Sequence, residues 1–275
     1  MFDSGVGGLT VAEALRSAAP ALQVDYAADT GFFPYGDKSD AALRHRLPRV
    51  AKALFDHVQP DVFVIACNTA STLALDEVRA ALPCPVVGTV PAIKPAIEIS
   101  QTKTLGLLAT PGTIRRRYTD DLIEQFAPQA TVHKHGSLDL VELAEQVAAG
   151  MKPPLEAFAA AQQPLFDADP EGAMDVIVLA CTHFPLVVEQ LRKSAPRSLA
   201  YIDSGSAIAR QTLRVLPTTR PLAAPSDGRA FVTGGDADYA RLRAVFERFG
   251  FSHLEEIGVS RDLTSPEPAT KAAGE

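Results

Sequence analysis

The sequence has little of three things that define whole classes of protein: cysteine, long apolar runs and excess basic charge. Three cysteines in 275 residues are too few for a disulfide framework. No apolar stretch approaches the roughly 18 residues of a membrane-spanning helix, so we expect no association with a membrane. The 26 basic residues are outnumbered by 33 acidic ones, which argues against a nucleic-acid-binding surface.

What the sequence does have is enough length and apolar content for a sizeable core. At roughly 150 residues per domain, the chain suggests two domains or one large one. A hydrophobic content of 47% excludes a disordered chain. The first residues lack a charged region followed by an apolar core, so we expect no signal peptide and a cytoplasmic location.

Short β-branched runs alternate with Ala- and Leu-rich stretches along most of the chain. Several runs are almost continuously apolar, which is typical of strands buried on both faces of a parallel sheet. The pattern predicts strands at 24–28, 62–66, 86–87, 105–109, 131–134, 176–180 and 199–203. It predicts helices at 9–18, 40–56, 72–81, 93–100, 114–126, 138–149, 153–166, 186–194, 207–215 and 238–249. This alternation indicates a doubly wound α/β architecture with mainly parallel sheets.

One stretch of the sequence occurs twice. Residues 61–69 read DVFVIACNT and residues 175–183 read DVIVLACTH, so five of nine positions agree, including an Ala-Cys pair after the apolar run. Buried strands use few residue types, and this alone can produce such a match. The alternative is two similar α/β halves that each present a cysteine at the same place.

Cys67 and Cys181 each follow a predicted strand, at the edge of the sheet where ligands bind in open α/β proteins. Polar residues that can cap a helix come next. A thiol at a helix N-terminus feels the positive end of the helix dipole, so we expect a pKa lowered toward neutrality. Cys84 lies between two prolines and is expected to be a packing residue.

Two thiols on opposite sides of one carbon can invert a stereocentre, because one removes a proton while the other delivers one. A disulfide-exchange pair would usually be a Cys-x-x-Cys, whereas these two cysteines are far apart in the sequence. Metal binding is the other use of clustered Cys and His. Neither His133 with His135 nor Cys181 with His183 belongs to a four-ligand zinc spacing, so we expect no metal site.

The first residues form a glycine-rich turn, Asp3-Ser4-Gly5-Val6-Gly7-Gly8, ahead of a predicted helix. The turn has neither a P-loop lysine nor the dinucleotide-binding spacing, so we expect its glycines to let the backbone approach a small anion. Asp3 must end a strand, yet only Met1 and Phe2 precede it. We therefore expect few sheet hydrogen bonds to position this acid.

Six ordered motifs carry a family resemblance: FDSGVGGLTV at 2–11, PYGDKS at 34–39, ACNTAS at 66–71, LLATPGTIRRRY at 107–118, LVE at 140–142 and ACTHFPLV at 180–187. In this order they resemble the glutamate racemases, cofactor-independent members of the aspartate/glutamate racemase superfamily. The resemblance covers nearly the whole chain, up to about residue 260.

The resemblance implies a two-cysteine proton transfer at Cα of glutamate, without pyridoxal phosphate or any other cofactor. Cys181 matches the cysteine that removes the α-proton of L-glutamate, and Cys67 matches the one that reprotonates it to D-glutamate. Asp3 matches the acid that assists Cys67. Glu142 and His183 match the groups beside Cys181. The positions that hold the carboxylates and the ammonium group are matched by Asp3, Ser4, Tyr35, Gly36, Asn68, Thr69, Thr182 and His183.

The resemblance also implies two α/β domains with the active site between them. We expect residues 1–91 with 205–262 to form the first domain and residues 92–204 the second, with a disordered tail at 263–275. A bacterial homodimer whose product feeds peptidoglycan synthesis is implied. The alternatives are an aspartate racemase or related isomerase, and an amino-acid-binding protein without catalysis. A cysteine hydrolase using Cys181 and His183 would leave Cys67 unexplained.

Overall fold

The computed structural model describes residues 1–217, 228–234 and 239–259. The strands are β1 (Phe2–Asp3), β2 (Tyr26–Ala28), β3 (Phe63–Ile65), β4 (Val86–Gly88), β5 (Thr104–Ala109), β6 (Thr131–Gly136), β7 (Val176–Ala180), β8 (Ala200–Ile202), β9 (Arg229–Val232) and β10 (His253–Glu256). The helices are α1 (Leu9–Ala18), α2 (Asp40–Val58), α3 (Asn68–Ala81), α4 (Ile93–Ile99), α5 (Pro111–Ile114), α6 (Arg117–Phe126), α7 (Asp139–Ala148), α8 (Leu155–Asp167), α9 (Val188–Ser194), α10 (Gly205–Val215) and α11 (Tyr239–Arg248).

The strands form two separate sheets. The first sheet has the order β10-β9-β2-β1-β3-β4 and the second sheet has the order β6-β5-β7-β8. Every strand pair in the described residues is parallel. The predicted α/β class with mainly parallel sheets is therefore confirmed, and the apolar runs form strands buried between layers of helices.

The two sheets share one topology. The first strand of each unit lies between the second and the third, giving β2-β1-β3-β4 in one sheet and β6-β5-β7-β8 in the other. Cys67 follows β3 and Cys181 follows β7, so the two cysteines occupy equivalent places. The repeated sequence at 61–69 and 175–183 thus reflects two similar α/β units, not only the limited residue types of buried strands. In each unit the cysteine lies at the point where the strand order reverses, where such folds bind ligands.

Most predicted elements occur within two or three residues of their expected bounds. The helix predicted at 114–126 is instead two helices, α5 and α6, that meet near Arg116, and α3 begins four residues earlier than predicted. Strands β9 and β10 were not predicted. In β10 the outer residues His253 and Glu256 are exposed, so this strand at the edge of the sheet lacks an apolar signature.

The short first strand is held from both sides. The N–H of Ala66 donates to the carbonyl of Phe2, and the N–H of Asp29 donates to the carbonyl of Asp3. Phe2 is fully buried in the core beneath the sheet. Two flanking strands and one buried ring therefore position Asp3, although β1 itself has two residues.

Two further predictions from the sequence concern membrane-spanning helices and the end of the chain. None of the helices in the described ranges is both long and apolar enough to cross a bilayer. The tail predicted at 263–275 lies outside the described residues.

Candidate active site

A small cavity lies where the carboxyl ends of the two sheets face each other. Its wall contains every site residue predicted from the sequence except Glu142. It also contains three residues that the sequence did not single out, and the full set is Asp3, Ser4, Pro34, Tyr35, Gly36, Cys67, Asn68, Thr69, Thr110, Val141, Cys181, Thr182 and His183. The two sheets thus contribute one cysteine each to a shared space.

Cys67 lies at the N-cap of α3 and is buried. Burial and the charge of Asp3 raise the pKa of its thiol well above the ordinary value, although the backbone N–H of Ala70 in the first helical turn acts in the opposite direction. The lowered pKa predicted from the helix dipole is therefore wrong for Cys67, because desolvation outweighs the dipole. Cys67 carries its proton at neutral pH.

Asp3 is fully buried beside Cys67. Its Oδ2 accepts a hydrogen bond from Thr182 Oγ1 at 2.8 Å, and its Oδ1 accepts one from the backbone N–H of Ser4 at 2.5 Å. Burial raises the pKa of Asp3, while the charge of His183 and these hydrogen bonds oppose the rise. A carboxyl group in this setting is suited to exchanging a proton with a neighbouring thiol.

Cys181 directly follows β7 and precedes a 3₁₀ turn, Phe184–Val187. Its Sγ lies 3.9 Å from Nδ1 of His183, and the opposite ring nitrogen, Nε2, lies 2.9 Å from Oε1 of Glu145. Burial disfavours the charged ring, but the contacts with Cys181 and Glu145 outweigh burial and raise the pKa of His183 well above its ordinary value. A positively charged imidazole therefore lies beside the sulfur of Cys181.

The acid beside His183 is Glu145, not Glu142. Glu142 is exposed and is not part of the cavity wall, whereas Glu145 lies one helical turn later with only 15% of its side chain exposed. Oε1 of Glu145 also accepts the backbone N–H of Val6 at 3.2 Å, and Oε2 lies 3.8 Å from Arg241. Burial would raise the pKa of Glu145, but its contacts with His183 hold that pKa below the ordinary value.

The periodicity of α7 contains the signal that distinguishes the two glutamates. The buried residues of this helix are Leu140, Val141, Ala144 and Ala148. Glu145 follows Val141 by four residues and precedes Ala148 by three, so it lies on the buried stripe. Glu142 lies off that stripe, which explains why the assignment drawn from the LVE motif is wrong.

Asn68 has an open acceptor in the cavity. Its Oδ1 is buried and has no hydrogen-bond partner. A buried polar atom without a partner costs free energy, so its place in a cavity wall indicates a donor supplied by a ligand. An ammonium group has three such donors.

The hydroxyl of Tyr35 cannot donate to a ligand, because it donates to Oδ2 of Asp29 at 2.5 Å. Asp29 is fully buried and also forms two hydrogen bonds with Arg46, both of 2.6 Å, and one with Thr233. This four-residue network fixes the loop that carries Tyr35 and Gly36 into the cavity. Tyr35 therefore has no side-chain donor left for a carboxylate of a ligand.

Hydrogen bonds join the two sheet units across the cavity. Thr10 Oγ1 donates to the carbonyl of Thr182 at 3.2 Å, and Thr69 Oγ1 lies 3.0 Å from Thr110 Oγ1. The enclosed space is about 10 Å³, enough for about one water molecule. The space must therefore enlarge before an amino acid can occupy it.

The other cysteine and histidine residues considered from the sequence do not line the cavity. Cys84 is half-buried and packs against the core beneath the first sheet, as predicted. His133 and His135 lie on β6. Over the described ranges, no three His, Cys, Asp or Glu side chains come together as metal ligands do.

The profile of the Asp/Glu/Hydantoin racemase family matches residues 10–212 of the chain. The glutamate racemase of Klebsiella pneumoniae is 42% identical over 258 residues, which cover 94% of this chain and 90% of that protein. The glutamate racemase of Sphingopyxis alaskensis is 42% identical over 256 residues, covering 93% and 96% of the two chains.

Solved structures of glutamate racemases have the same fold as this chain. The chain superimposes on Escherichia coli glutamate racemase, determined in complex with L-glutamate and the activator UDP-MurNAc-ala, with a TM-score of 0.87 and 40% sequence identity. That superposition covers 94% of this chain and 97% of the other. A glutamate racemase isoform from Bacillus anthracis gives a TM-score of 0.76 at 26% identity, covering 94% and 96% of the two chains.

Proposed function

The chain belongs to the Asp/Glu/hydantoin racemase family, and we propose that it interconverts L- and D-glutamate by proton transfer between Cys67, the substrate Cα and Cys181. The observation that carries this proposal is the pair of cysteines that follow equivalent strands of the two sheets. Each cysteine has its own acid beside it, Asp3 for one and His183 with Glu145 for the other. The D-glutamate formed would feed peptidoglycan synthesis, as the family resemblance implies.

Starting from L-glutamate, Cys181 acts as the base. The protonated ring of His183, 3.9 Å from its sulfur, supplies a positive charge that stabilises a thiolate there. The thiolate takes the α-proton and becomes a thiol. Glu145 stabilises the protonated ring of His183, so the positive charge stays beside Cys181 while the proton moves.

Cys67 acts as the acid in the same direction. Its raised pKa keeps the thiol protonated until a carbanion forms on the neighbouring carbon. After Cys67 delivers its proton, the charge of Asp3 disfavours the thiolate that is left. Once the product leaves, Cys67 therefore takes a proton from water, and Cys181 releases to water the proton that it removed. In the reverse direction the two cysteines exchange roles, so each must be able to lose and regain a proton.

The substrate is proposed to be held by polar atoms already in the cavity wall. Asn68 Oδ1, which lacks a partner, accepts from the α-ammonium group. The hydroxyl of Thr69 and the main chain at Gly36 face the carboxylates, while the hydroxyls of Ser4 and Thr182 donate to Asp3 and hold that acid in the cavity wall. These donors stabilise negative charge that develops next to the α-carboxylate during proton removal.

We also propose that the two sheet units are the two domains, residues 1–91 with 205–262 and residues 92–204. The strand orders and the helix contacts α1 with α10 and α4 with β7 support this division. A cytoplasmic homodimer is part of the proposal and rests on the family resemblance. Light scattering of the purified protein would test the dimer.

A racemisation assay tests the function directly. Each enantiomer of glutamate and of aspartate is incubated with the protein, and the loss of optical rotation is followed. We expect both glutamate enantiomers to reach a 1:1 mixture while aspartate turns over at least about 100-fold more slowly, because the site must position both carboxylates. Faster aspartate turnover would point to an aspartate racemase, and binding without racemisation would point to a non-catalytic receptor.

Replacing Glu145 by Gln is expected to move the alkaline limb of the pH–rate profile to lower pH. His183 has a raised pKa partly because of the charge of Glu145, and it must stay protonated. Without that charge its pKa falls, so the ring loses its proton earlier as the pH rises. At neutral pH we expect kcat/KM to fall about 10- to 100-fold.

The matched control for that change is Glu142→Gln, one turn earlier on the same helix. Glu142 is exposed, so its profile should superimpose on that of the unaltered protein. If Glu142→Gln shifted the alkaline limb and Glu145→Gln did not, the assignment of the acid would be reversed.

A methyl group at Gly7 is expected to displace His183. A Cβ at this position would lie 2.4 Å from Nδ1 of the His183 ring and 2.7 Å from its backbone nitrogen. Nδ1 is the atom that faces Cys181, so Gly7→Ala should lower kcat/KM by about 100-fold. Gly258→Ala is the control, because no heavy atom lies within 4 Å of its added carbon. Equal kcat/KM values for the two variants would contradict the geometry.

A further inference from the structure

A second, larger cleft lies immediately outside the catalytic cavity. Its volume is about 510 Å³, within the range of small-molecule sites. The same three chain segments form part of both walls. The segments 35–40, 69–73 and 110–118 contribute to the cavity with their first residues and to the cleft with their later ones.

The cleft is rich in cationic side chains. Five of them and one carboxylate contribute to its wall: Lys38, Asp40, Arg44, Arg115, Arg116 and Arg117. Lys38, Arg44 and Arg117 pair with carboxylates outside the wall, namely Asp37, Glu77 and Asp121. This concentration stands out in a chain whose net charge is −7, which by itself repels an anionic substrate.

The guanidinium group of Arg115 is available to bind a ligand. It is exposed, and no carboxylate in the described part of the chain pairs with it. It lines the cleft directly beside Arg116. An exposed guanidinium of this kind attracts anions over about a Debye length, roughly 8–10 Å at physiological salt.

Arg116 is the second notable group. Its side chain is only 7% exposed, and its Nε is buried without a hydrogen-bond partner. Its Nη1 donates to the carbonyl of Thr69 at 2.6 Å, and its Nη2 lies 3.0 Å from Asp40. Arg116 thus joins the second sheet unit to α3, the helix that begins at Cys67. A buried guanidinium with an unused donor indicates a site where a further acceptor can bind.

Two glycines lie between the cleft and the cavity. Gly36 is part of the cavity wall and Gly112 is part of the cleft wall. A Cβ on Gly112 would lie 3.3 Å from the carbonyl oxygen of Gly36 and 3.6 Å from Nη2 of Arg116. The main chain of these two glycines and the side chain of Arg116 therefore separate the cleft from the cavity at this point.

From these contacts we propose that the cleft is an anion-binding antechamber, in which Arg115 and Arg116 bind the carboxylates of the amino-dicarboxylate substrate before it passes Gly112 into the catalytic cavity. This inference rests on the proposed function and adds a binding site to it. Charged clefts that collect a substrate raise its association rate by about 10- to 1,000-fold, and the gain falls with ionic strength.

The test compares Arg115→Gln and Arg115→Glu with a control, Arg192→Gln. Arg192 is about half exposed on α9, away from both the cleft and the cavity, and its loss changes the net charge by the same amount as Arg115→Gln. The kcat/KM for glutamate is measured between about 20 and 300 mM salt, and thermal unfolding of each variant confirms folding.

We expect kcat/KM at low salt to fall about 3- to 10-fold in Arg115→Gln and further in Arg115→Glu. The fall should come from a higher KM. The dependence on salt should flatten in both variants, while Arg192→Gln behaves like the unaltered protein. If all three variants share one salt dependence, the antechamber is overturned. If the unaltered protein fails to racemise glutamate at all, the proposed function fails instead.

Inorganic phosphate provides a second readout. If anions occupy the antechamber, phosphate should inhibit competitively with glutamate, and its inhibition constant should rise at least about fivefold in Arg115→Glu but not in Arg192→Gln. An unchanged inhibition constant would place phosphate in the catalytic cavity. An effect on kcat without competition would make the cleft a site for a separate effector. Either result would overturn the proposal.

Discussion

Cys67→Ala and Cys181→Ala are each expected to lower kcat/KM for glutamate racemisation by about 1,000-fold or more, in both directions. A positioned proton-transfer group contributes roughly 10²–10⁴-fold, and inversion at Cα requires two such groups on opposite faces. Removing Cys181 leaves no base for L-glutamate. Removing Cys67 leaves the carbanion without a proton donor on the opposite face, so the proton returns to the side from which it came.

Cys84→Ala is the control for the loss of a thiol. Cys84 is half-buried and belongs to neither wall, so its kcat/KM should stay within about twofold. Melting temperatures of all three variants separate a chemical defect from a folding defect. Near-normal turnover by either Cys67→Ala or Cys181→Ala would contradict the two-base mechanism.

The chemistry of a racemase constrains how any variant can behave. The two enantiomers have equal free energy in water, so the ratio of kcat/KM in the two directions must remain one. A change at Cys181, His183 or Glu145 can therefore shift kcat and KM separately for each enantiomer, but it must lower kcat/KM equally in both. Unequal values of kcat/KM would reveal an error in the assay and not a property of the site.

Arg46→Met is expected to lower the free energy of unfolding by about 3–5 kcal/mol. Arg46 is 2% exposed and donates two hydrogen bonds to the fully buried carboxylate of Asp29. Removing one partner of a buried ion pair leaves the other charge uncompensated. In a chain of this size the loss corresponds to a fall in melting temperature of about 6–20 °C.

Lys52→Met serves as the comparison, because Lys52 pairs with Asp56 on the surface of α2 with more than half of each side chain exposed. A surface pair contributes about 0–1 kcal/mol, so the melting temperature should barely change. Urea unfolding of both variants gives the two free energies. Similar losses for Arg46→Met and Lys52→Met would show that the Asp29–Arg46 pair does not stabilise the fold.

The positions of the two cysteines followed from the sequence for a physical reason. Apolar runs buried on both faces form parallel strands, and residues directly after such strands meet at one edge of a sheet. The repeated run at 61–69 and 175–183 therefore located Cys67 and Cys181 before any contact was known. The equivalent strand orders of the two sheets show why the repeat exists.

Features that depend on distant contacts did not follow from the sequence. The network around Asp29 joins Tyr35, Arg46 and Thr233, and Thr233 is 204 residues away from Asp29. Burial and the charge of Asp3 raise the pKa of Cys67, and neither can be estimated from the local helix. The choice between Glu142 and Glu145, by contrast, could have been predicted from the helical periodicity of the buried residues in α7.

The central claim is that two different groups serve the two faces of Cα, and the position of deuterium tests it most directly. L-glutamate with hydrogen at Cα is converted in D₂O, and at less than 10% conversion both the product and the recovered substrate are analysed by mass spectrometry. We expect every D-glutamate formed to carry deuterium delivered by Cys67, while the recovered L-glutamate keeps its hydrogen. D-glutamate that retains the substrate hydrogen, or L-glutamate that exchanges as fast as product forms, would show that a single group serves both faces.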